Sequence, residues 1–220
     1  MNITLLTHTP DPEQLVAASA KLCYSAASIA DLAAIEADKA AEFIDKLPEA
    51  HQSPFEHVSF TFGIEGVSRA MLAQITRHRI ASFSVQSQRY VDMSDGFGYV
   101  IPESIKQNPE TRDVFDAFMG RIDTLYTYLR SCGIPSEDAR FVLPNACETR
   151  MIVTMNAREL MHFFSLRCCQ RAQWEIRAVA SEMLRLCKEV APTLFAKAGA
   201  GCVRGHCPEG KMGCKHGDAR

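Results

Sequence analysis

Apolar residues recur along the chain at two spacings, which indicate strands and helices in one folded unit. The stretch from Asn2 to Thr7 is aliphatic and predicts a first strand, and Pro12 begins a predicted helix. From His57 to Phe62 every second residue is apolar, as in a half-buried strand. A further β-prone run extends from Arg150 to Met155. These runs predict a sheet.

Helical spacing is typical of the rest of the chain. Ser68 can cap one helix, and the apolar stripe from Arg112 to Arg130 predicts a long amphipathic helix whose stripe we expect to be buried core. Asn156, with Glu159 three residues later, has the form of an N-cap followed by its acidic partner. Residues 174–190 supply another apolar face. The pattern predicts an α+β fold, a mixed sheet packed with several long helices in a single compact domain.

Composition excludes several classes of protein. The chain has 220 residues, 47% of them apolar, and a formal net charge of -2. This charge gives no general attraction for nucleic acid or for an anionic membrane. The first residues lack a secretory signal, and no apolar run reaches the roughly 18 to 20 residues of a membrane span. We therefore expect a cytoplasmic protein whose nine cysteines are reduced thiols, most of them buried.

Composition changes abruptly after residue 198, which predicts one domain over residues 1–198 and a Gly/Cys-rich tail over residues 199–220. Three cysteines and two histidines in the tail give a ligand density that suits tetrahedral zinc. The gaps of four and six residues between the cysteines differ from paired C-x-x-C ligands, so we favour a tail without metal. The candidate ligands, should a metal bind, are Cys202, His206, Cys207 and Cys214.

The densest group of polar side chains extends from Arg77 to Tyr90 and holds three arginines, a histidine, two glutamines and three serines. Guanidinium groups bind phosphate through paired hydrogen bonds, and serine and glutamine add neutral donors for ribose or a base. A solvated basic loop is the alternative for such a run. Its length and polarity favour a small-anion or nucleotide site.

Several blocks of this sequence resemble one known family. Arg77-His78-Arg79, followed after seven residues by Ser87, is similar to the signature of flavin-dependent thymidylate synthases. Flanking blocks match in the same order and extend the resemblance to roughly residues 1–197. They are His51-Gln52-Ser53-Pro54-Phe55-Glu56-His57, Ala139-Arg140-Phe141-Val142-Leu143-Pro144, Asn156-Ala157-Arg158 and Ala172-Gln173-Trp174-Glu175-Ile176.

The resemblance implies an enzyme that methylates dUMP reductively to dTMP. The carbon donor would be 5,10-methylenetetrahydrofolate, and FAD reduced by NADPH would supply the hydride, because side chains have none to give. It also implies the compact fold of that family and a homotetramer with active sites shared between subunits.

The resemblance carries residue roles as well. It implies FAD-binding positions at His51, Ser53, Arg77, His78, Arg79, Val85, Asn156, Ala157, Arg158 and His162. It implies dUMP-binding positions at Gln74, Arg77, Val85, Gln86, Ser87, Gln88, Arg89, Arg140 and Arg167. Val85 departs from the family, in which Gln or Glu is frequent, so only its backbone can bond there.

Arg167 is the implied catalytic residue. It lies about two and a half helical turns after Arg158 on an otherwise apolar segment, where an arginine is most often an ion-paired structural residue. The resemblance instead gives it the role of stabilising negative charge on the uracil ring, by fixed charge, since arginine cannot act as a base. No enzymic nucleophile is implied, and we assign Ser87 to phosphate or ribose binding.

Physical chemistry supports one of these positions independently. A helix that begins after Asn156 presents N–H groups and positive potential to an anion such as the FAD diphosphate, although Asn156 can also be a cap alone. Two other functions stay open. One is a zinc-tailed module that binds nucleotides or RNA; the other is a flavin and folate methylase of another pyrimidine.

Overall fold

A computed structural model describes residues 1–47, 51–205 and 207–214. Its contacts divide the chain into two compact units, each made of three segments. The first unit contains residues 1–2, 64–77 and 84–152, and the second contains residues 3–63, 78–83 and the described residues from 153 onward.

Strands and helices together confirm the predicted α+β class. The strands are β1 Asn2–His8, β2 Ser59–Ser68, β3 Ala81–Val85 and β4 Glu148–Asn156. The helices are α1 Pro12–Leu22, α2 Ile29–Ala33, α3 Ala37–Asp45, α4 Arg69–Ile75, α5 Glu103–Lys106, α6 Pro109–Ser131, α7 Ser136–Ala139, α8 Ala157–Arg167 and α9 Trp174–Val190. Short 3₁₀ turns occupy Ser53–His57, Arg140–Val142, Gly201–Arg204 and Gly210–Met212.

The four strands form one sheet in the order β1-β2-β4-β3. Paired residue numbers increase along one strand as they decrease along its neighbour, so β2 runs antiparallel to both β1 and β4. Hydrogen bonds in and next to the strands follow this direction: Thr9 with Ser59 and Asn2 with Glu65 link β1 to β2, and Thr61 with Thr154 and Arg69 with Cys147 link β2 to β4.

The predicted strand from His57 to Phe62 is displaced. The strand begins at Ser59 and continues to Ser68, because the apolar alternation runs on through a buried Ile64. The residues before it form a 3₁₀ turn that contains Pro54, whose ring fixes the backbone angle for a turn. The β-prone run predicted from Arg150 likewise begins two residues earlier, as β4.

Helix α6 is present as predicted, but its apolar stripe is not the buried core that we expected. Met119 and Tyr126 are buried, whereas Phe118 is 56% exposed and Leu125 is 44% exposed. Periodicity identifies the apolar face of a helix, but it does not say which surface covers that face. The described residues cover only part of this face.

Aromatic rings form the centre of the second unit. Phe60 and Phe164 each pack edge-on against Phe195, with ring centroids 5.3 and 6.0 Å apart, and Phe163 contacts Phe164. All four rings are fully buried. Each contributes about 1.5–3 kcal/mol by removal from water. This packing fixes the position of α8.

The cysteines are less buried than predicted. All nine, which lie within the described residues, are free thiols, but only Cys147 and Cys187 are buried. Cys23 and Cys132 are exposed because they follow the last turns of α1 and α6. None of the described helices is both long and apolar enough to cross a membrane. The domain boundary at residue 198 stays a prediction.

Candidate active site

Helix α8 begins at the predicted cap. The Asn156 side-chain oxygen accepts the Glu159 amide N–H at 2.8 Å, and the Ala157 N–H donates to the Val58 carbonyl at 2.9 Å. The Glu159 carboxylate was expected to act as the acidic partner of this cap. It bonds to His78 instead, since the buried ring offers a stronger partner than a half-buried backbone N–H.

His78 is bonded through both ring nitrogens. Its Nδ1 lies 2.8 Å from Glu159 Oε1, and its Nε2 lies 3.1 Å from Arg167 Nε. The ring packs edge-on against Phe163 at 4.9 Å and lies 5.9 Å from the His162 ring. With 5% of its surface exposed, His78 is a buried link between a carboxylate and a guanidinium.

Hydrogen-bond chemistry fixes the protonation of this histidine. An arginine nitrogen can only donate, so His78 Nε2 must accept and carries no proton. The single proton then sits on Nδ1 and is donated to the Glu159 carboxylate. Burial lowers the pKa of His78 most strongly, Arg167 also lowers it, and the bond to Glu159 opposes both. The imidazole is neutral at neutral pH.

Arg167 ends α8 and is half-buried. It lines a cavity of about 500 Å³ together with Arg171 and the tail residues Cys202, Cys207 and Cys214. Arg171 ties the tail to this wall through the Met212 carbonyl and through an ion pair with Glu209 at 3.4 Å. The cavity wall therefore contains two guanidinium groups, and the one of Arg171 is paired with the Glu209 carboxylate.

The other predicted flavin-binding residues of the second unit are mostly exposed. Arg158 pairs with Glu56 at the surface, and the His51 ring contacts the Tyr24 hydroxyl at 3.0 Å. The side chains of Ser53, Arg79 and His162 are also exposed. These side chains are accessible at the surface, whereas the His78 ring is buried and both of its nitrogens have protein partners.

In the first unit, two of the predicted dUMP-binding arginines bond to Glu137, Ser87 joins them through Arg89, and Gln88 does not. Arg89 Nε lies 2.6 Å from the Glu137 carboxylate, and Arg140 Nε donates to the Glu137 carbonyl at 3.0 Å. The Ser87 hydroxyl oxygen accepts the backbone N–H of Arg89 at 3.2 Å. Gln88 is buried and donates its side-chain N–H to Cys147 Sγ at 3.4 Å, so it faces the protein interior.

The remaining predicted positions of this unit lie along α4 and after β3. Gln74 donates to the Ala70 carbonyl at 3.5 Å on the last turn of α4, and Arg77 is exposed beyond it. Val85 ends β3, and the Gln86 N–H donates to the Arg150 carbonyl at 2.9 Å. Two guanidinium groups and a hydroxyl close to Glu137 can bind a phosphate or a ribose.

The tail thiols do not form a metal site among the residues that the structure describes. No group of three or more His, Cys, Asp or Glu side chains there is arranged to hold a metal ion. Cys202, Cys207 and Cys214 are half-buried in the cavity wall. The candidate ligand His206 lies outside the described residues.

Glu159 is the residue that sequence reasoning missed. Its position three residues after Asn156 indicates a helix cap, but its spacing from later residues of the helix also indicates a buried partner. Glu159, Phe163 and Arg167 follow each other at intervals of four residues, which places them on one face of a helix. An acid at a buried position on that face needs a partner.

Comparison with known proteins gives a consistent result. The family model described as thymidylate synthase complementing protein matches residues 4–193. A flavin-dependent thymidylate synthase from Geobacter sulfurreducens is 58% identical over 217 residues, which cover 97% of this chain and 94% of the relative. Another from Nitratidesulfovibrio vulgaris is 51% identical over 225 residues, covering 95% of this chain and 91% of the relative.

Solved structures share the fold at lower identity. A flavin-dependent thymidylate synthase from Helicobacter pylori, in complex with FAD and dUMP, has a TM-score of 0.68 and 22% identity and covers 90% of this chain and 100% of its own. A UMP/dUMP methylase from Streptomyces cacaoi bound to 5-Br dUMP has a TM-score of 0.76 and 24% identity, covering 89% and 93%. At these identities the likeness establishes the fold alone.

Proposed function

The chain belongs to the flavin-dependent thymidylate synthase family, and from this premise we propose that it converts dUMP to dTMP by reductive methylation. The full-length match to relatives of that name supports the reaction. One structural observation carries the chemistry, namely the guanidinium of Arg167 held by a neutral, buried histidine. 5,10-Methylenetetrahydrofolate is the proposed carbon donor, and NADPH is the proposed reductant.

Arg167 acts on the uracil ring through its fixed positive charge. The bond from its Nε to His78 directs the guanidinium, so the charge is in place before negative charge develops at N3 and O4 of the ring. Stabilising that charge makes C5 of the pyrimidine more nucleophilic. Removing one preorganised donor of this kind costs about 10²–10³-fold in kcat.

The residues present fit FAD. Asn156 caps α8, and the exposed guanidinium groups of Arg79 and Arg158 can each pair with a diphosphate oxygen. Arg158 would exchange its surface carboxylate partner, Glu56, for the phosphate. When bound, FAD supplies the hydride that completes the methyl group.

The residues around Glu137 bind the nucleotide substrate in this proposal. The guanidinium groups of Arg89 and Arg140 bind the dUMP phosphate or ribose. Ser87 serves as a binding residue in this proposal. Its hydroxyl oxygen accepts the backbone N–H of Arg89, and binding, unlike nucleophilic attack, requires no base to activate the hydroxyl. The reaction then needs no enzymic nucleophile.

A homotetramer with shared active sites is the proposed assembly. Phe118 and Leu125 on α6 and Phe141 after α7 expose large apolar side chains, and Phe141 is 83% exposed. Such side chains are enriched where another subunit packs. The proposed compartment is the cytoplasm, where a reducing environment would keep the cysteines of this chain as thiols.

Anaerobic turnover tests the function. Purified protein loaded with FAD is mixed with dUMP, methylenetetrahydrofolate and NADPH, and dTMP is measured by chromatography. The wild type forms dTMP, and Arg167→Ala retains flavin but loses about 10²–10³-fold in kcat. Glu182→Gln, at a surface ion pair on α9, is the control and keeps full activity.

A parallel reaction with UMP or a short uridine-containing RNA tests the alternative substrates. Product from dUMP alone supports the thymidylate reaction. Product from UMP or RNA, with none from dUMP, would replace it by methylation of another pyrimidine. A colourless protein with one zinc per chain that binds nucleotides without turnover would favour the zinc-tailed binding module.

A further inference from the structure

Glu159 and Arg167 lie on the same face of α8, two turns apart. Glu159, Phe163 and Arg167 are spaced by four residues, and side chains in a helix tilt towards its N-terminus, so the long Arg167 side chain reaches back along this face. The His78 ring occupies the space between the two charged groups and packs on Phe163. One helix thus supplies both ends of a hydrogen-bonded chain.

The Glu159 carboxylate determines which nitrogen of His78 can accept. Glu159 is 7% exposed, and its Oε1 is an acceptor for the proton on His78 Nδ1. A proton held there leaves the Nε2 lone pair directed at Arg167 Nε–H. An ionised acceptor also polarises the ring and strengthens the second bond. Without the carboxylate, the proton could move to Nε2, which would then oppose the arginine donor.

We propose that Glu159 is a positioning residue that acts through His78 to orient the Arg167 guanidinium for its work on the pyrimidine ring. Neither the family signature nor the cap at Asn156 requires this role for Glu159. The inference rests on the proposed function of Arg167. Glu159 itself touches neither substrate nor cofactor in this proposal.

Two substitutions of Glu159 distinguish a role in positioning His78 from a role in stability alone. Glu159→Gln keeps a carbonyl oxygen at the right place for Nδ1–H but removes the charge, whereas Glu159→Ala removes the acceptor. By analogy with residues that orient metal-bound histidines, we expect Glu159→Ala to lose about 10–100-fold in kcat. Glu159→Gln retains kcat within about threefold, and both variants retain FAD. Glu182→Gln on α9 is the matched control.

The pH dependence of kcat provides a readout that a structural role would not move. Protonated His78 cannot accept a hydrogen bond from Arg167, so kcat falls at acid pH. The fall lies below pH 6.5, the ordinary pKa of histidine, because burial lowers the pKa of His78. Among the described residues, the charged or titratable groups that face His78 are Glu159, Arg167 and His162, and of these Glu159 alone raises its pKa. The acid limb of Glu159→Gln therefore moves to lower pH.

Nitrogen NMR tests the inference without turnover. Histidine labelled with ¹⁵N in the purified, flavin-loaded protein reports which ring nitrogen carries the proton, and the His78→Gln spectrum assigns the signal. We expect a proton on Nδ1 and none on Nε2 at pH 7.5, and a mixture of tautomers in Glu159→Ala. If the wild type makes no dTMP but shows this tautomer and its loss in Glu159→Ala, the proposed reaction fails while the positioning of Arg167 stands.

Two results would overturn the inference. One is a proton on Nε2 of His78 in the wild type, which would abolish the bond that Arg167 Nε donates to this nitrogen. The other is wild-type kcat and an unmoved acid limb in flavin-loaded Glu159→Gln and Glu159→Ala. Should Glu159→Ala fail to fold, the acid limb of Glu159→Gln and the wild-type NMR spectrum decide.

Discussion

Asn156 offers a test that separates stability from flavin binding. Replacing it with alanine removes the acceptor of the 2.8 Å bond from the Glu159 amide and leaves the first turn of α8 uncapped. Loss of an N-cap costs about 1 kcal/mol. For a domain of this length, that corresponds to a decrease of about 2–4 °C in Tm. Thermal unfolding of the flavin-free protein measures it.

Asn156→Asp is the matched variant. An aspartate retains the cap, and its favourable interaction with the helix dipole, about 0.3–1 kcal/mol, opposes repulsion from the nearby Glu159 carboxylate. We therefore expect a Tm close to that of the wild type. The new negative charge lies where the FAD diphosphate is proposed to bind, so repulsion of about 1 kcal/mol weakens FAD binding roughly fivefold.

Titration of flavin fluorescence measures that affinity. Tight FAD binding by Asn156→Asp, equal to the wild type, would place the diphosphate elsewhere than at the start of α8. An unchanged Tm of flavin-free Asn156→Ala would show that the cap contributes nothing to stability.

Three further outcomes follow from the packing and the ionisation of this chain. Phe60→Ala removes a fully buried ring and should lower the free energy of unfolding by about 3–5 kcal/mol, measured by urea denaturation. The hydrogen bonds from Arg130 lower the pKa of Asp92, so this pair stabilises the fold fully above the ordinary pKa of 3.8 and less as the pH falls further. Asp92→Asn should therefore make the urea midpoint less dependent on pH below 5. The same pH dependence in the variant and the wild type would refute the pairing. A maleimide should label the exposed Cys132 quickly, as peptide mass mapping can show. It should label the buried Cys187 only on unfolding, because burial also raises the pKa of this thiol. Rapid labelling of Cys187 in the folded protein would contradict its burial.

Local rules predicted most of the secondary structure. The caps at Ser68 and Asn156 are present because their side-chain oxygens satisfy the first amides of α4 and α8. Burial was less predictable. Phe118 and Leu125 belong to a regular apolar stripe, yet they are exposed, because the covering surface is a property of tertiary or quaternary packing. Periodicity within one helix contains no information about that surface.

The candidate site shows the same limit. The Arg-His-Arg run and the start of α8 are visible in the sequence, but the bonds that join His78 to Glu159 and Arg167 connect residues 81 and 89 positions apart. Such pairs arise only when the chain folds. The resemblance implies a flavin-binding role for His78, which stays a prediction, and the sequence did not indicate that both ring nitrogens bond to protein groups.

A single-turnover experiment shows whether this chain transfers a methyl group to dUMP. Enzyme with fully reduced FAD is mixed anaerobically with dUMP and methylenetetrahydrofolate, without free NADPH, and quenched samples are analysed for nucleotides. We expect close to one dTMP per enzyme-bound flavin, formed as the flavin reoxidises, and none when either substrate is omitted. A fully flavinated enzyme that binds dUMP but forms no dTMP would contradict it.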